Sequence, residues 1–393
     1  MEKNKNKGSL WELFLVSSKL GLTSFGGPIA HLGYFFDEYV KKRKWISEKN
    51  YAELVALCQF LPGPASSQVG IGIGVMRARV IGGIVSFIGF TLPSVIALTL
   101  FAMMLKDIDI NNAGWIHGLK IVAVAVIAQA IFGMAGKLAP DLKRKAIVLG
   151  GLVVTLLWQT AYSQIAVILI SAIIGLFYYN KQKVSDEEED FQFPLSRRFG
   201  AICLTLFFIL LITLPIMKNV VTSPWFGIFD SFYRSGSLVF GGGHVVLPLL
   251  EKEFVPEGLV SKETFLAGYG ATQAVPGPLF TFGAYLGAVM KGWTGGLLAA
   301  FAIFLPAFLL VFGTLPFWNL VRRHPKIKGA LTGVNAAVVG ILISAFYDPV
   351  WTSSILKPAD FVVAALLFSL LMYWKLSPWI VVVIGGVGGI LFL

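Results

Sequence analysis

The chain is expected to be an all-α polytopic membrane protein made of two inverted-topology repeats, with broken or re-entrant helices meeting near the midplane. Three observations lead there. Of 393 residues, 56% are hydrophobic and only 13% charged, and apolar runs of about 20 residues recur, the length that crosses a bilayer core. The proline-glycine-proline break in Gln59-Phe60-Leu61-Pro62-Gly63-Pro64 returns in Gln273-Ala274-Val275-Pro276-Gly277-Pro278. Laying the second half on the first also places Phe25-Gly26-Gly27 on Phe240-Gly241-Gly242, Ser47 on Ser261, Met76-Arg77 on Met290-Lys291 and Leu92-Pro93 on Leu305-Pro306. A β-barrel is excluded, because its strands would alternate in polarity whereas runs such as Ile121 to Ile131 are apolar on every face.

The elements follow in order. Met1 to Gly8 is basic, but Glu12 and Lys19 interrupt the apolar stretch after it and no small-residue cleavage site follows, so a retained cytoplasmic tail is expected. Trp11 to Phe36 is broken near Gly26-Gly27-Pro28, and Tyr51 to Met76 is broken at Pro62-Gly63-Pro64. Val80 to Leu105, Gly114 to Lys137, Ala146 to Gln159 and Tyr162 to Tyr179 read as unbroken spans, the third of them short. Residues 1–180 thus form the first repeat and 220–393 the second. Between them, 181–198 holds the run Asp186-Glu187-Glu188-Glu189-Asp190 and reads as a solvated linker, and 199–219 is a transmembrane helix with no counterpart.

That unpaired helix turns the second repeat upside down if the first crosses an even number of times. Loop charge agrees: with the N-terminus inside, Lys143-Arg144-Lys145, Arg197-Arg198 and Arg322-Arg323-Lys326-Lys328 all face the cytoplasm. Lys41-Lys42-Arg43-Lys44 joins them if Trp11 to Phe36 is re-entrant and lies outside if it spans, which favours re-entry, nine crossings and four broken elements. The net charge of +11 therefore reads as topology and not as a nucleic-acid surface. Cys58 and Cys203 lie in apolar segments and define no disulfide framework.

Inverted repeats give two near-equivalent packings, the usual basis of alternating access, and broken helices bring bare backbone to the midplane. Pro64 and Pro278 are suited to the first position of the helix after each break, where a missing N–H costs nothing. Two such helix N-termini pointing inward make an anion site. Gln59, Ser66, Ser67, Gln273 and Thr281 supply donors around it, and Gly63 and Gly277 allow close approach. No carboxylate occurs between Cys58 and Lys106, which disfavours a cation site.

Other residues carry two readings. Arg77 and Lys291 either attract the anion or snorkel toward a helix end. Glu53, on the element leading to Pro62, is the first choice for a proton relay against a capping or pairing role; His31 and His244 are relay or oxyanion-binding candidates against a structural one. Phe25 and Phe240 either gate the path or fill core, Lys120 either meets substrate or snorkels, and Gly70, Gly74, Gly283 and Gly287 read as packing positions. No phosphate-binding loop, metal-ligand spacing, nucleophile motif or cofactor fingerprint is present, so neither ATP hydrolysis nor a cofactor is expected.

At Ser24-Phe25-Gly26-Gly27-Pro28, Gln59 to Pro64 with Gly70-Ile71-Gly72, Val239-Phe240-Gly241-Gly242-Gly243-His244 and Gln273 to Pro278, the chain resembles the chromate ion transporter (CHR) family in its long two-domain form. The resemblance covers almost the whole chain. It implies a bacterial or archaeal inner-membrane protein that exports chromate and confers chromate resistance, with sulfate as the similar oxyanion and competitor. Substrate contacts would then come from the motif residues Gly26, Gly27, Gly63, Pro64, Gly241, Gly242, Gly277 and Pro278. Gly243 stands where the first repeat has Pro28, which implies unequal halves. Expected partners are chromate or sulfate, the lipid bilayer and a second copy in a homodimer, with no nucleic acid. Competing expectations are an anion channel, a transporter of a different oxyanion, and a membrane enzyme acting on lipids; the last would need clustered acids or a nucleophile-base pair, which the chain does not offer.

Overall fold

A computed structural model describes residues 9–25, 27–105, 114–158, 160–179, 194–218, 220–221, 223–240, 243–318 and 325–392. Gly26, Gly241, Gly242, the acidic run Asp186 to Asp190 and the pair Arg322-Arg323 lie outside the described residues. Among the described residues all regular structure is helical. The first repeat holds α1 (Leu10–Thr23), α2 (Gly27–Phe35, continued by a π-helical turn to Lys42), α3 (Glu48–Phe60), α4 (Ala65–Leu105), α5 (Gly114–Leu138), α6 (Leu142–Leu157) and α7 (Ala161–Tyr178). After α8 (Arg197–Lys218) the second repeat holds α9 (Pro224–Leu238), α10 (Val246–Phe254), α11 (Lys262–Thr272), α12 (Phe282–Thr314), α13 (Pro325–Ala345), α14 (Pro358–Met372) and α15 (Pro378–Phe392). Five stretches, in α4, α5, α8, the region of α12 and the region of α13, are long and apolar enough to cross a membrane.

Caps explain several helix starts. The side chains of Ser9, Ser47, Asp141, Thr160 and Ser261 each accept a backbone N–H from the first turn that follows, satisfying a donor the helix itself leaves open.

Each broken element folds back on itself. Arg43 at the end of the π-turn reaches Glu12 at the start of α1 at 2.7 Å, and Tyr39 meets Ser17 at 3.4 Å, so the chain reverses around residues 24–28. A Cβ on Gly72 would lie 2.6 Å from Leu54, which puts α3 against the start of α4 with the reversal at Pro62-Gly63-Pro64. The second repeat does likewise: Ser231 in α9 binds Glu253 in α10 at 2.9 Å, and the Tyr285 hydroxyl in α12 donates to the Thr264 carbonyl in α11 at 2.8 Å. The sequence left open whether these elements span or return; each forms a hairpin in the structure.

α4 and α12 are also folded. Ala78 (φ −147°) and Arg79 (φ 53°) break α4, and Lys291 (φ −141°) with Gly292 (φ 63°) break α12 in the same backbone shape. A Cβ on Gly74 would meet the Gly82 carbonyl at 2.2 Å, and one on Gly287 the Gly295 carbonyl at 2.2 Å, so each short arm packs on its long arm through bare backbone. The shared dihedrals set Lys291 level with Ala78, one residue away from the sequence pairing with Arg77.

The long arms, residues 80–105 and 293–314, cross between repeats. Phe87 meets Phe308 at 4.8 Å, a Cβ on Gly83 would lie 3.1 Å from Phe312, and one on Gly296 would lie 3.0 Å from Thr99. Rising number on one arm meets falling number on the other, so equivalent helices run antiparallel. Glycine contacts knit the remaining helices reciprocally. Gly114 of α5 abuts Gly389 of α15, and Gly329 of α13 abuts Gly175 of α7.

Candidate functional site

The four hairpin tips meet in the centre. The Gly63 N–H donates to the Val239 carbonyl at 2.7 Å, and the Gly277 N–H donates to the Ser24 carbonyl at 3.0 Å. Each proline-glycine-proline tip is thereby tied to the glycine-motif tip of the other repeat. Gly63 (φ 113°) and Gly277 (φ 104°) hold backbone conformations that a side chain would strain. The tips are braced further by the Gln68 amide donating to the Pro62 carbonyl at 2.7 Å and the Ser94 hydroxyl donating to the Pro276 carbonyl at 2.5 Å.

The two prolines do not take the first helical position. Pro278 is extended (ψ 134°) and caps the short turn Leu279–Thr281, and the Pro64 carbonyl accepts the Gln68 N–H, so Pro64 too stands one place before its helix. Proline fits there because its fixed φ suits an extended cap as well as a first turn. Both helix N-termini still face the tips, and the first N–H groups of the arm beginning at Ala65 have no acceptor within that helix.

Several predicted side chains come together. His31 is fully buried on α2, its Nδ1 lies 3.2 Å from Ser66 Oγ, and its ring sits against the Ser24 carbonyl. Ser66, Ser67 and Gln273 are buried. Ser67 Oγ, Gln273 Nε2, His31 Nε2, Ser24 Oγ and Gln68 Oε1 have no hydrogen-bond partner. Leaving a buried polar group unpaired costs about 1–3 kcal/mol, so five around one set of tips are a concentration that packing alone would not retain. Four of the five can donate, and no carboxylate stands among them.

Other predicted residues lie elsewhere. Gln59 is exposed. The Thr281 hydroxyl donates to the Pro278 carbonyl at 2.7 Å. His244 Nδ1 pairs with the Tyr269 hydroxyl at 2.6 Å. Glu53 accepts from Trp318 Nε1 at 2.9 Å, joining α3 to the end of the α12 region. Arg77 stacks on Trp45 at 4.6 Å and reaches Glu12 at 4.0 Å, at the mouth of the first hairpin. Lys291 is exposed at its break. Phe25 leans on Trp379 of α15 at 6.0 Å, and Lys120 donates to the Ser353 carbonyl at 3.3 Å.

Sequence reasoning did not single out Ser24, Gln68 or Ser94 as site residues. Ser24 stood at the head of the first motif and Gln68 one turn beyond Pro64, so a search for polar residues within a turn of each break would have found both. Ser94 acts across the repeats, and nothing local announces that.

A duplicated helical bundle whose re-entrant tips converge on unspent hydrogen-bond donors defines a polytopic membrane protein with a central polar site. The chain belongs to the chromate transporter family, whose model matches residues 11–176 and 226–390, leaving α8 unmatched between them. It is 26% identical to an uncharacterized transporter of Methanocaldococcus jannaschii, with 100% of this chain and 96% of that one covered. Identity is 26% to a probable chromate transport protein of Synechococcus elongatus, over 98% of this chain and 96% of the relative. To a chromate transport protein of Cupriavidus metallidurans it is 24%, over 95% and 91%. No solved structure matches the chain.

Proposed function

We propose that this protein is a secondary transporter that exports chromate across the inner membrane by alternating access, with sulfate as a competing substrate, and so confers chromate resistance. The observation that carries the reading is the pair of reciprocal tip bonds, Gly63 to Val239 and Gly277 to Ser24, which gather the breaks of both repeats around unpaired donors. Ser24, His31, Ser67, Gln273 and the open N–H groups at the start of the Ala65 arm bind a tetrahedral dianion there. Ser66, hydrogen-bonded to His31, borders that site, and Gln59, Thr281, Gly26, Gly27, Gly241 and Gly242 remain proposed contacts from the motifs.

Antiparallel packing of the equivalent long arms supports an inverted relation between the repeats. If those arms lie along the bilayer normal, the axis relating them lies in the membrane plane. With the hairpins re-entrant, nine helices cross, the N-terminus is cytoplasmic, and α8 carries the chain to the outside before the second repeat begins. Outward movement of a dianion down a potential of about 100 mV gains about 4–5 kcal/mol, so export proceeds without ATP.

The test is flux. Vesicles containing the purified protein alone should exchange chromate with saturation and counterflow, and sulfate should inhibit. Conduction without saturation would make the protein a channel, and folded protein giving neither exchange nor sulfate inhibition would remove the reading.

A further inference from the structure

A second polar centre lies in the α9–α10 hairpin, away from the tips. Asp230 and Arg234 stand one turn apart on α9, and the fold-back of α10 brings Glu253 to them. Arg234 Nη2 reaches Asp230 Oδ2 at 2.8 Å, and Nη1 and Nη2 reach the two Glu253 oxygens at 2.7 and 3.0 Å. Side-chain exposure is 1% for Asp230, 14% for Arg234 and 10% for Glu253. Two carboxylates thus share one guanidinium, leaving one negative charge uncompensated where desolvating each ion costs several kcal/mol.

The neighbours do not balance it. The adjacent charges on α10, Glu251 and Lys252, pair with each other at 3.5 Å, and the further charges acting on Glu251 are Asp348 and Lys262. From α8 the contacts are the Phe207 carbonyl, which takes the Tyr233 hydroxyl, and the Lys218 side chain beside Gly227, which makes no ion pair with the cluster, and from α12 the contact is the Ile303 backbone against Gly236. α7 presents Gln164, which is neutral.

Gln164 supplies the independent observation. It is 2% exposed, its Nε2 is held by the Pro248 carbonyl at 3.2 Å, and its Oε1 has no partner. It lines, with Arg234, Ser235 and Glu253, a small pocket with room for about one water. Arg234 Nε and Asp230 Oδ1 are likewise unpaired. On the pocket itself the open Gln164 acceptor and the open Arg234 donor match a water, which brings hydrogens and lone pairs together.

The first repeat has part of this arrangement without its consequences. Lys19 and Glu38 occupy the places of Arg234 and Glu253 and pair at 3.6 Å, but Lys19 is 61% exposed, Lys42 and Arg43 also reach Glu38, and Leu15 stands where Asp230 would be. The extra acid and the deeper burial of the cation belong to the second repeat, whereas Glu38 is buried like Glu253.

We propose that the Asp230–Arg234–Glu253 cluster binds one proton and couples it to oxyanion movement, an inference that rests on the transport reading above. A hydronium ion from the outer aqueous side gives its proton to one carboxylate oxygen and leaves as water, so the cluster becomes neutral. The protonated acid then holds the guanidinium less strongly, and the clamp between α9 and α10 loosens. That hairpin ends at Val239, whose carbonyl holds the Gly63 tip, so the state of the cluster bears directly on the oxyanion site.

The experiment uses vesicles loaded with a pH-reporting dye and driven by a chromate gradient. Wild type should move protons opposite to chromate, each taken up on the side chromate reaches and released on the side it leaves. Asp230→Asn and Glu253→Gln should each lose the proton movement, and with it the dependence of chromate exchange on pH. Chromate flux without proton movement in wild type, or proton movement retained in both variants, would overturn the coupling while leaving transport intact; a requirement for sodium in place of protons would do the same. Infrared spectra of purified protein decide independently of flux and of how the variants fold. A protonated buried carboxyl band should appear on acidification in wild type and be missing in Asp230→Asn or Glu253→Gln; no such band in wild type would sink the proposal even if flux fails everywhere.

Discussion

The tip glycines should respond unequally to the same substitution. In Gly277→Ala the added methyl would lie 2.2 Å from Ser94 Oγ, on a backbone with φ of 104°. The positive φ costs about 1–2 kcal/mol. Moving Ser94 aside also breaks its bond to the Pro276 carbonyl, worth about 0.5–1.5 kcal/mol, for a total of roughly 1.5–3.5 kcal/mol. In Gly63→Ala the methyl would lie 3.0 Å from Gln68 Nε2, which has to give by only a few tenths of an ångström and so keeps its bond to the Pro62 carbonyl, with the next contacts at 3.8 Å. There the backbone cost of about 1–2 kcal/mol dominates. Thermal unfolding in detergent should therefore rank Gly277→Ala below Gly63→Ala, and chromate exchange should fall in the same order. Ser94→Ala sharpens the test: it should destabilise the wild type by removing a hydrogen bond, yet be neutral or stabilising in the Gly277→Ala background, where that bond is already broken. Equal damage at the two glycines, or Ser94→Ala costing the same in both backgrounds, would refute the account of the tip.

Removing an unspent donor should separate function from stability: Ser67→Ala and Gln273→Leu are expected to leave the melting temperature unchanged or raised. Losing a bond to a charged ligand, about 1.5–3 kcal/mol, should raise the half-saturating chromate concentration about tenfold or more, whereas exposed Gln59→Ala should change it less. Glu53→Gln and Trp318→Phe should be non-additive in a double-mutant unfolding cycle, because each removes the same 2.9 Å bond. Gly118→Ala, whose methyl would sit 2.0 Å from the Gly385 carbonyl, should destabilise by well over about 1 kcal/mol, whereas Gly150→Ala, with nothing within 4 Å, should stabilise by about 1 kcal/mol or less. In the loop before α6, the Arg144 backbone N–H and guanidinium hold the Asp141 carboxyl below its ordinary value. That stability is present above the unfolded value and is lost as pH falls through the folded one, so acid melting curves should lose this component in Asp141→Asn.

The spans and the duplication were legible because both depend on patterns along the chain: apolar runs set the helices, and repeated punctuation at Pro62-Gly63-Pro64 and Pro276-Gly277-Pro278 set the breaks. Lys41 to Lys44 favoured re-entry from the sequence, and the hairpin itself is held by the Glu12–Arg43 pair, a contact between segments that no local signal connects. The anion-site residues were half visible. Gln273 and Gln59 look equivalent in sequence, yet one is buried with an unpaired amide and the other exposed. The Asp230–Arg234–Glu253 cluster was not legible as a unit, because Glu253 comes from a helix that folds back over the one carrying Asp230 and Arg234.

Duplication gave two copies of one scaffold, and the residues at matching places show how they have diverged. Around the tips the first repeat is polar where the second is apolar: Ser24 against Val239, Ser66 against Phe280, Gln68 against Phe282 and Ser94 against Ala307. In the first hairpin the bias reverses, with a buried Glu38 met by the exposed Lys19 in one repeat and a buried three-charge cluster with a second acid in the other. Reciprocal bonds between tips keep the backbone nearly symmetric, as two interconverting packings require, while these side chains divide the work. In the reading proposed above, the first repeat supplies most of the donors that meet an oxyanion, Gln273 of the second adding one, and the second repeat carries the charge whose state biases the hairpin opposite. A perfectly symmetric pair would place equal polarity on both sides of the pocket and have no separate element through which a second ion could act. Exchanging Gln68 for Phe while placing Gln at Phe282 should therefore not preserve chromate exchange, even if the summed polarity around the tips is unchanged.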